Sequence, residues 1–100
     1  MSLTIGKKTG ENAELTLAGR LDTTTAPEME VVLNEMLPAA KTLVIDMEKL
    51  EYISSAGLRL ILKAQKTMDK QGKLTLTHVP ADVMEVFNIT GFADFLTIES

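Results

Sequence analysis

Three stretches with helical periodicity each stand between two stretches with strand patterning, and this order restricts the available folds more than any other feature of the chain. "AELTLAG", Ala13 to Gly19, alternates apolar and polar residues as a half-buried strand does, and "SLTI" before it reads as a second strand joined through the turn-rich "GKKTGEN". "TLVIDM", Thr42 to Met47, is continuously apolar until Asp46, as in a central strand covered by helices. "KLTLTHV", Lys73 to Val79, alternates again, and "FLTIE" reads as a short final strand.

The intervening helices carry start and stop signals. In the first, Met29, Val32, Leu33, Met36 and Leu37 recur at helical spacing, and Thr25-x-x-Glu28 is a capping-box pattern with Pro27 in the first turn. The second runs from about Ala56 to Lys70 and stops at Gly72; the third, about Ala81 to Thr90, follows Pro80 and stops at Gly91. Each helix joins two strands at crossover distance. We therefore expect an α/β fold in a single domain over 1–100, with a mixed, mostly parallel sheet of about five strands. An antiparallel hairpin should open it, and the helices should pack mainly on one face.

Composition excludes several functions. There is no cysteine, so disulfides, thiolate metal sites and cysteine nucleophiles are absent, and His78 is the only imidazole. The formal charge of −4 comprises −3 in residues 1–50 and −1 in residues 51–100, so neither half is a basic body for nucleic acid. No apolar run reaches the ~20 residues of a membrane span, and "MSLTIGKKTG" lacks the apolar core of a signal peptide. We expect a cytoplasmic protein that contacts neither nucleic acid nor membrane directly, binds no cofactor or metal, and is monomeric when free.

The chemistry of interest gathers at "EYISSAGLRLIL", Glu51 to Leu62. Functional groups of open α/β sheets collect at the carboxyl ends of parallel strands, where Ser54 and Ser55 fall. Asp46 is expected to end the preceding strand, and Asp22, in "GRLDTTT", to follow a parallel neighbour on the same edge. Both aspartates also suit ordinary turn and strand-end roles. Nucleophilic catalysis lacks its parts: Ser54-Ser55-Ala56-Gly57 is not a G-x-S-x-G elbow, and His78 belongs to a later strand. Phosphate-binding loops are missing too. A serine here can cap the helix, be modified, or both. Ser55 is expected as N-cap, accepting from the N–H of Gly57 or Leu58. The first turn, Ala56-Gly57-Leu58-Arg59, contains no carboxylate, and an added phosphate would meet free N–H groups and the positive end of the helix dipole.

Projected at helical pitch, Gly57, Leu60, Ile61, Ala64 and Met68 form the core face of this helix, while Leu58 and Leu62 lie off its centre. Arg59, Lys63, Lys66 and Lys70 form a basic stripe. The stripe suits a solvated face, or a docking surface on which Leu58 and Leu62 supply apolar anchors. His78 and the six methionines need only packing or surface roles.

Taken together, "GRLDTTTAP", "LVIDMEKLEYISSAGLRLIL", "QGKLTLTHV" and "VMEVFNITGF" resemble the STAS-domain anti-sigma factor antagonists of bacteria. The resemblance implies a protein that is not an enzyme and that binds an anti-sigma factor with serine kinase activity, releasing a sigma factor. It also implies that the kinase ends the complex by phosphorylating one serine, and that a metal-dependent serine phosphatase restores it. Aligned on Gly57-Leu58, the acceptor is Ser55, with Ser54 the alternative; Ser54 stands where the family usually has aspartate, and Ala56 where it has a second serine. Asp22 and Asp46 match family acidic positions near the site, and with Ser54, Ser55, Ala56 and Gly57 of the motif and Leu58, Arg59 and Leu62 of the helix face they make the expected partner-binding set. A STAS scaffold in a stress-signalling or lipid-transport complex is the first alternative, and a nucleotide-binding domain the second.

Overall fold

The computed structural model describes residues 3–99. Its elements follow the expected order: β1 (Leu3–Lys8), β2 (Asn12–Leu21), α1 (Ala26–Met36) with a 3₁₀ turn at Leu37–Ala39, β3 (Thr42–Ile53), α2 (Ser55–Gln71), β4 (Lys73–Thr77), α3 (Ala81–Thr90) with a 3₁₀ turn at Phe92–Asp94, and β5 (Ile98–Glu99). The strands form one sheet in the order β1-β2-β3-β4-β5. β1 is antiparallel to β2, and every other pair is parallel. Ser2 of the first predicted strand lies outside the described residues.

Alternation along the strands decides which sheet face is covered. Ala13, Leu15 and Leu17 of β2, Leu43, Ile45 and Met47 of β3, and Leu74 and Leu76 of β4 are buried on one side. α1 covers this side with Met29, Leu33 and Met36, and α2 with Ile61, Ala64 and Met68. Val83 and Phe87 of α3 join the same core. Each fully buried side chain of this size contributes roughly 1.5–3 kcal/mol to folding. On the opposite face of β1 and β2, Thr4, Gly6, Glu14 and Thr16 meet solvent.

Two strands differ from expectation. β3 continues to Ile53 instead of ending near Met47, because two register shifts against β2, between Thr16 and Ala18 and between Gly19 and Arg20, break the two-residue alternation. The extension buries Leu50 and Ile53 at a spacing of three and exposes Glu48, Lys49, Glu51 and Tyr52, so it resembles a loop in sequence. The final strand is only Ile98–Glu99, since the turn after Gly91 is closed by the Phe95 N–H on the Phe92 carbonyl (3.0 Å) and takes up the start of "FLTIE".

Gly72 shows how tightly α2 is returned to the sheet. A Cβ at this position would stand 1.7 Å from the carbonyl oxygen of Lys41, which accepts the Lys73 N–H at 3.0 Å. That oxygen belongs to backbone at the entry to β3 and cannot swing aside. Gly72→Ala is expected to cost about 3 kcal/mol or more, measured by urea denaturation; a midpoint equal to wild type would contradict this packing.

Candidate functional site

The ends of β2 and β3 and the start of α2 meet at one point. The Ser54 N–H donates to the Leu21 carbonyl at 2.8 Å, adding a rung beyond the last paired residues of the two strands. This bond holds Ser54 extended, at φ −97° and ψ 176°, so the helix begins one residue later. Ser54 is therefore the N-cap, its Oγ accepting from the Gly57 N–H at 3.4 Å and its carbonyl from the Leu58 N–H at 2.9 Å. Expectation had given the cap to Ser55. Ser55 is instead the first helical residue, exposed, and its hydroxyl makes no hydrogen bond among the described residues.

Gly57 is a packing requirement. A Cβ there would lie 2.6 Å from Leu21 Cγ and 3.0 Å from Ile53 Cγ1, so any larger residue lifts the first turn off the strand ends. Leu58 is buried at 5% exposure and cannot serve as the exposed anchor expected of it, whereas Leu62 is half-buried further along α2. Ala56 and Arg59 remain accessible and line a shallow groove with Thr23, Pro27 and Glu30, where the amino-terminal turns of α1 and α2 adjoin.

Asp22 organises the neighbouring turn. Its Oδ1 accepts from the Thr24 hydroxyl (2.7 Å), the Thr24 N–H (3.0 Å) and the Thr25 N–H (3.1 Å). The Thr25 hydroxyl donates to the Arg20 carbonyl (2.8 Å) and accepts the Asp22 N–H (2.9 Å). That hydroxyl is fully engaged with the end of β2, and Thr25 makes no side-chain cap on α1, so the predicted capping box does not form. The hydrogen bond from the Thr24 side chain, supported by the Thr25 and Thr24 N–H groups, outweighs desolvation and lowers the Asp22 pKa below 3.8.

Asp46 is not part of this site. It pairs with Thr16 and Thr77 in mid-strand, accepts the Glu48 N–H at 3.0 Å, and lies 3.3 Å from His78 Nδ1. Because β3 runs on to Ile53, strand rise and the two register shifts put Asp46 roughly 20 Å from Ser54. The site therefore unites Asp22, Ser54, Ser55, Ala56, Gly57 and Arg59. Among the described residues no cluster of histidine and carboxylate groups could hold a metal ion, and no helix is long and apolar enough to cross a membrane.

The family described as Mlab, STAS domain, matches residues 6–98. The chain belongs to the STAS domain family. An anti-sigma-B factor antagonist of Staphylococcus aureus is 30% identical over 87 residues, covering 85% of this chain and 81% of that protein. The crystal structure of an anti-sigma factor antagonist from Mycobacterium paratuberculosis matches with a TM-score of 0.87 at 19% identity, over 97% of this chain and 85% of that one. The Bacillus cell fate determinant SpoIIAA in its phosphorylated form matches with a TM-score of 0.74 at 19% identity, over 99% of this chain and 92% of that one. Identities this low carry the fold.

Sequence reasoning missed two residues at the edge of this STAS site. Arg20 places its guanidinium carbon 4.2 Å from the centroid of the Tyr52 ring and its Nε 3.8 Å from Asp22 Oδ2. The two residues face one another only because the second register shift pairs Arg20 with Tyr52, and the one-dimensional pattern contains no signal of that shift.

The lowered Asp22 pKa has a direct consequence for stability. A carboxylate whose folded pKa is depressed stabilises the fold above its unfolded value, and that contribution is lost as pH falls through the folded value. Asp22→Asn is expected to be less stable than wild type near neutral pH, with the gap closing as pH drops below 3.8. Denaturation midpoints across this range check it; a gap independent of pH would remove the charge from the account.

Proposed function

We propose that this STAS domain is an anti-sigma factor antagonist that binds an anti-sigma factor with serine kinase activity and is switched off by phosphorylation of Ser55. It acts by binding, not catalysis, and a metal-dependent serine phosphatase resets it. The observation carrying this reading is the division of labour between the two serines. Ser54 is committed to the Leu21 rung and the α2 cap, while Ser55 offers an exposed, uncommitted hydroxyl beside it. Only the second can be presented to a kinase without dismantling the helix entrance. The Staphylococcus aureus relative, an anti-sigma-B factor antagonist by name, supports the partner class.

The partner surface comprises Asp22, Ala56, Arg59 and the groove between α1 and α2, with Ser54 and Gly57 holding its shape and Leu62 at its margin. A phosphate on Ser55 adds roughly −1.5 to −2 charges at its centre. In the free protein, α2's amino-terminal N–H groups and Arg59, one turn on, accommodate that charge. Inside a complex fitted to a neutral hydroxyl, the same charge meets desolvation and repulsion.

Incubation with the cognate anti-sigma factor and ATP is expected to add one phosphate, assigned to Ser55 by fragment-ion mass spectrometry. Phosphate on Ser54 alone would contradict the proposal. Ser55→Ala should bind the anti-sigma factor and resist switching, Ser55→Asp should bind more weakly, and equal affinities in calorimetric titration would count against a charge switch. The two serines should also separate by stability: Ser54→Ala costs about 0.5–2 kcal/mol as a lost cap, whereas Ser55→Ala stays within about 0.5 kcal/mol of wild type.

A further inference from the structure

The solvent face of α2 carries more positive charge than its fold needs. Arg59, Lys63, Lys66 and Lys70 are all exposed, and helical geometry brings them within a sector of about 60° opposite the core residues Ile61, Ala64 and Met68. Their spacing makes a ridge about 16 Å long. Like charges three and four residues apart destabilise a helix, and solvated helices ordinarily relieve this with interleaved carboxylates. Here the one carboxylate of α2, Asp69, is turned toward Gln65, which donates to it at 2.8 Å. Only Lys63 has an ion-pair partner among the described residues, Glu30 of α1 at 3.5 Å. Arg59, Lys66 and Lys70 are left unneutralised in a chain whose formal charge is −4.

The large exposed apolar side chains, Val31, Tyr52, Ile89 and Phe95, lie off this ridge. A membrane surface would be met by charge alone and opposed by the acidic remainder of the molecule. A narrow basic ridge with the half-buried Leu62 at its flank fits a short acidic protein segment carrying apolar residues between its carboxylates. The ridge is also continuous with the Ser55 site, because Arg59 lines the groove there as well.

We propose that the α2 ridge docks an acidic segment of the same anti-sigma factor, extending the contact from Ser55 along the helix to Lys70. This rests on the function proposed above. The ridge steers and holds the partner, while Ser55 decides whether the complex persists; long-range attraction of this kind acts mainly on the association rate.

The test is surface-immobilised binding kinetics with the purified anti-sigma factor at two salt concentrations, comparing wild type, Lys66→Glu/Lys70→Glu and Ser55→Asp. Denaturation curves of the double variant establish that it is folded, as substitutions on an exposed ridge should leave it. The double variant is expected to bind about tenfold more weakly at low salt, chiefly through slower association, and to lose most of the salt dependence. Ser55→Asp, which offsets only Arg59, should keep most of the wild-type salt dependence while dissociating faster. Wild-type binding matched by the double variant overturns the ridge and leaves the antagonist reading intact; no wild-type binding removes both. Co-sedimentation of wild type, but not the double variant, with phosphatidylglycerol vesicles, at unchanged anti-sigma affinity, would assign the ridge to a membrane and overturn the proposal.

Discussion

The contact between Leu21 and the first turn of α2 is the constraint on which the site depends. The Leu21 carbonyl accepts the Ser54 N–H at 2.8 Å, and the Leu21 side chain occupies the space a Cβ on Gly57 would need. One residue thus ties the end of β2 to the end of β3 and sets how closely the helix may approach both. The bond fixes Ser54 in extended conformation, which sets the helix start, which in turn leaves Ser55 outside the cap. Asp22 follows Leu21 directly, so the same tie anchors the Asp22 turn, closed by Thr24 on its carboxylate, at the strand end that meets Ser54. The chemistry of the site is local, but its geometry is inherited from strand pairing.

Much of the architecture was legible in the sequence because helix packing writes a regular period. The α2 core residues Leu60, Ile61, Ala64 and Met68 are buried as projected, and the helix ends at Gly72. What could not be read arises where pairing departs from regularity. The bulged half of β3 buries Leu50 and Ile53 at a spacing that fits neither strand nor helix, and it removes Asp46 from the site to which a shorter strand would have assigned it. Thr25 and Glu28 have the right spacing for a capping box, yet the Thr25 hydroxyl is taken by the Arg20 carbonyl, a partner no local pattern specifies. The one-residue displacement of the cap from Ser55 to Ser54 has the same origin, since a bond to a distant strand decides it.

The electrostatics of the entrance follow from that arrangement. A serine at the cap satisfies the Gly57 N–H without bringing a charge beside Ser55. The negative charge of the site comes instead from Asp22, held ionised by Thr24 and Thr25, with Arg20 stacked on Tyr52 behind it. A phosphate on Ser55 would therefore meet the amino-terminal N–H groups of α2, with Arg59 one turn on. On the function proposed above, such a site would tolerate the modification in isolation and penalise it beneath a partner.

The phosphate is proposed to act at an interface and not by refolding, and amide chemical shifts of the unmodified protein and of the protein phosphorylated on Ser55 separate the two. Changes confined to Tyr52–Arg59 and the adjoining Asp22 turn are predicted, because the helix entrance can hold the added charge where it stands. Widespread changes along Leu43–Asp46 and Leu74–Thr77 would contradict the account and point to a conformational switch.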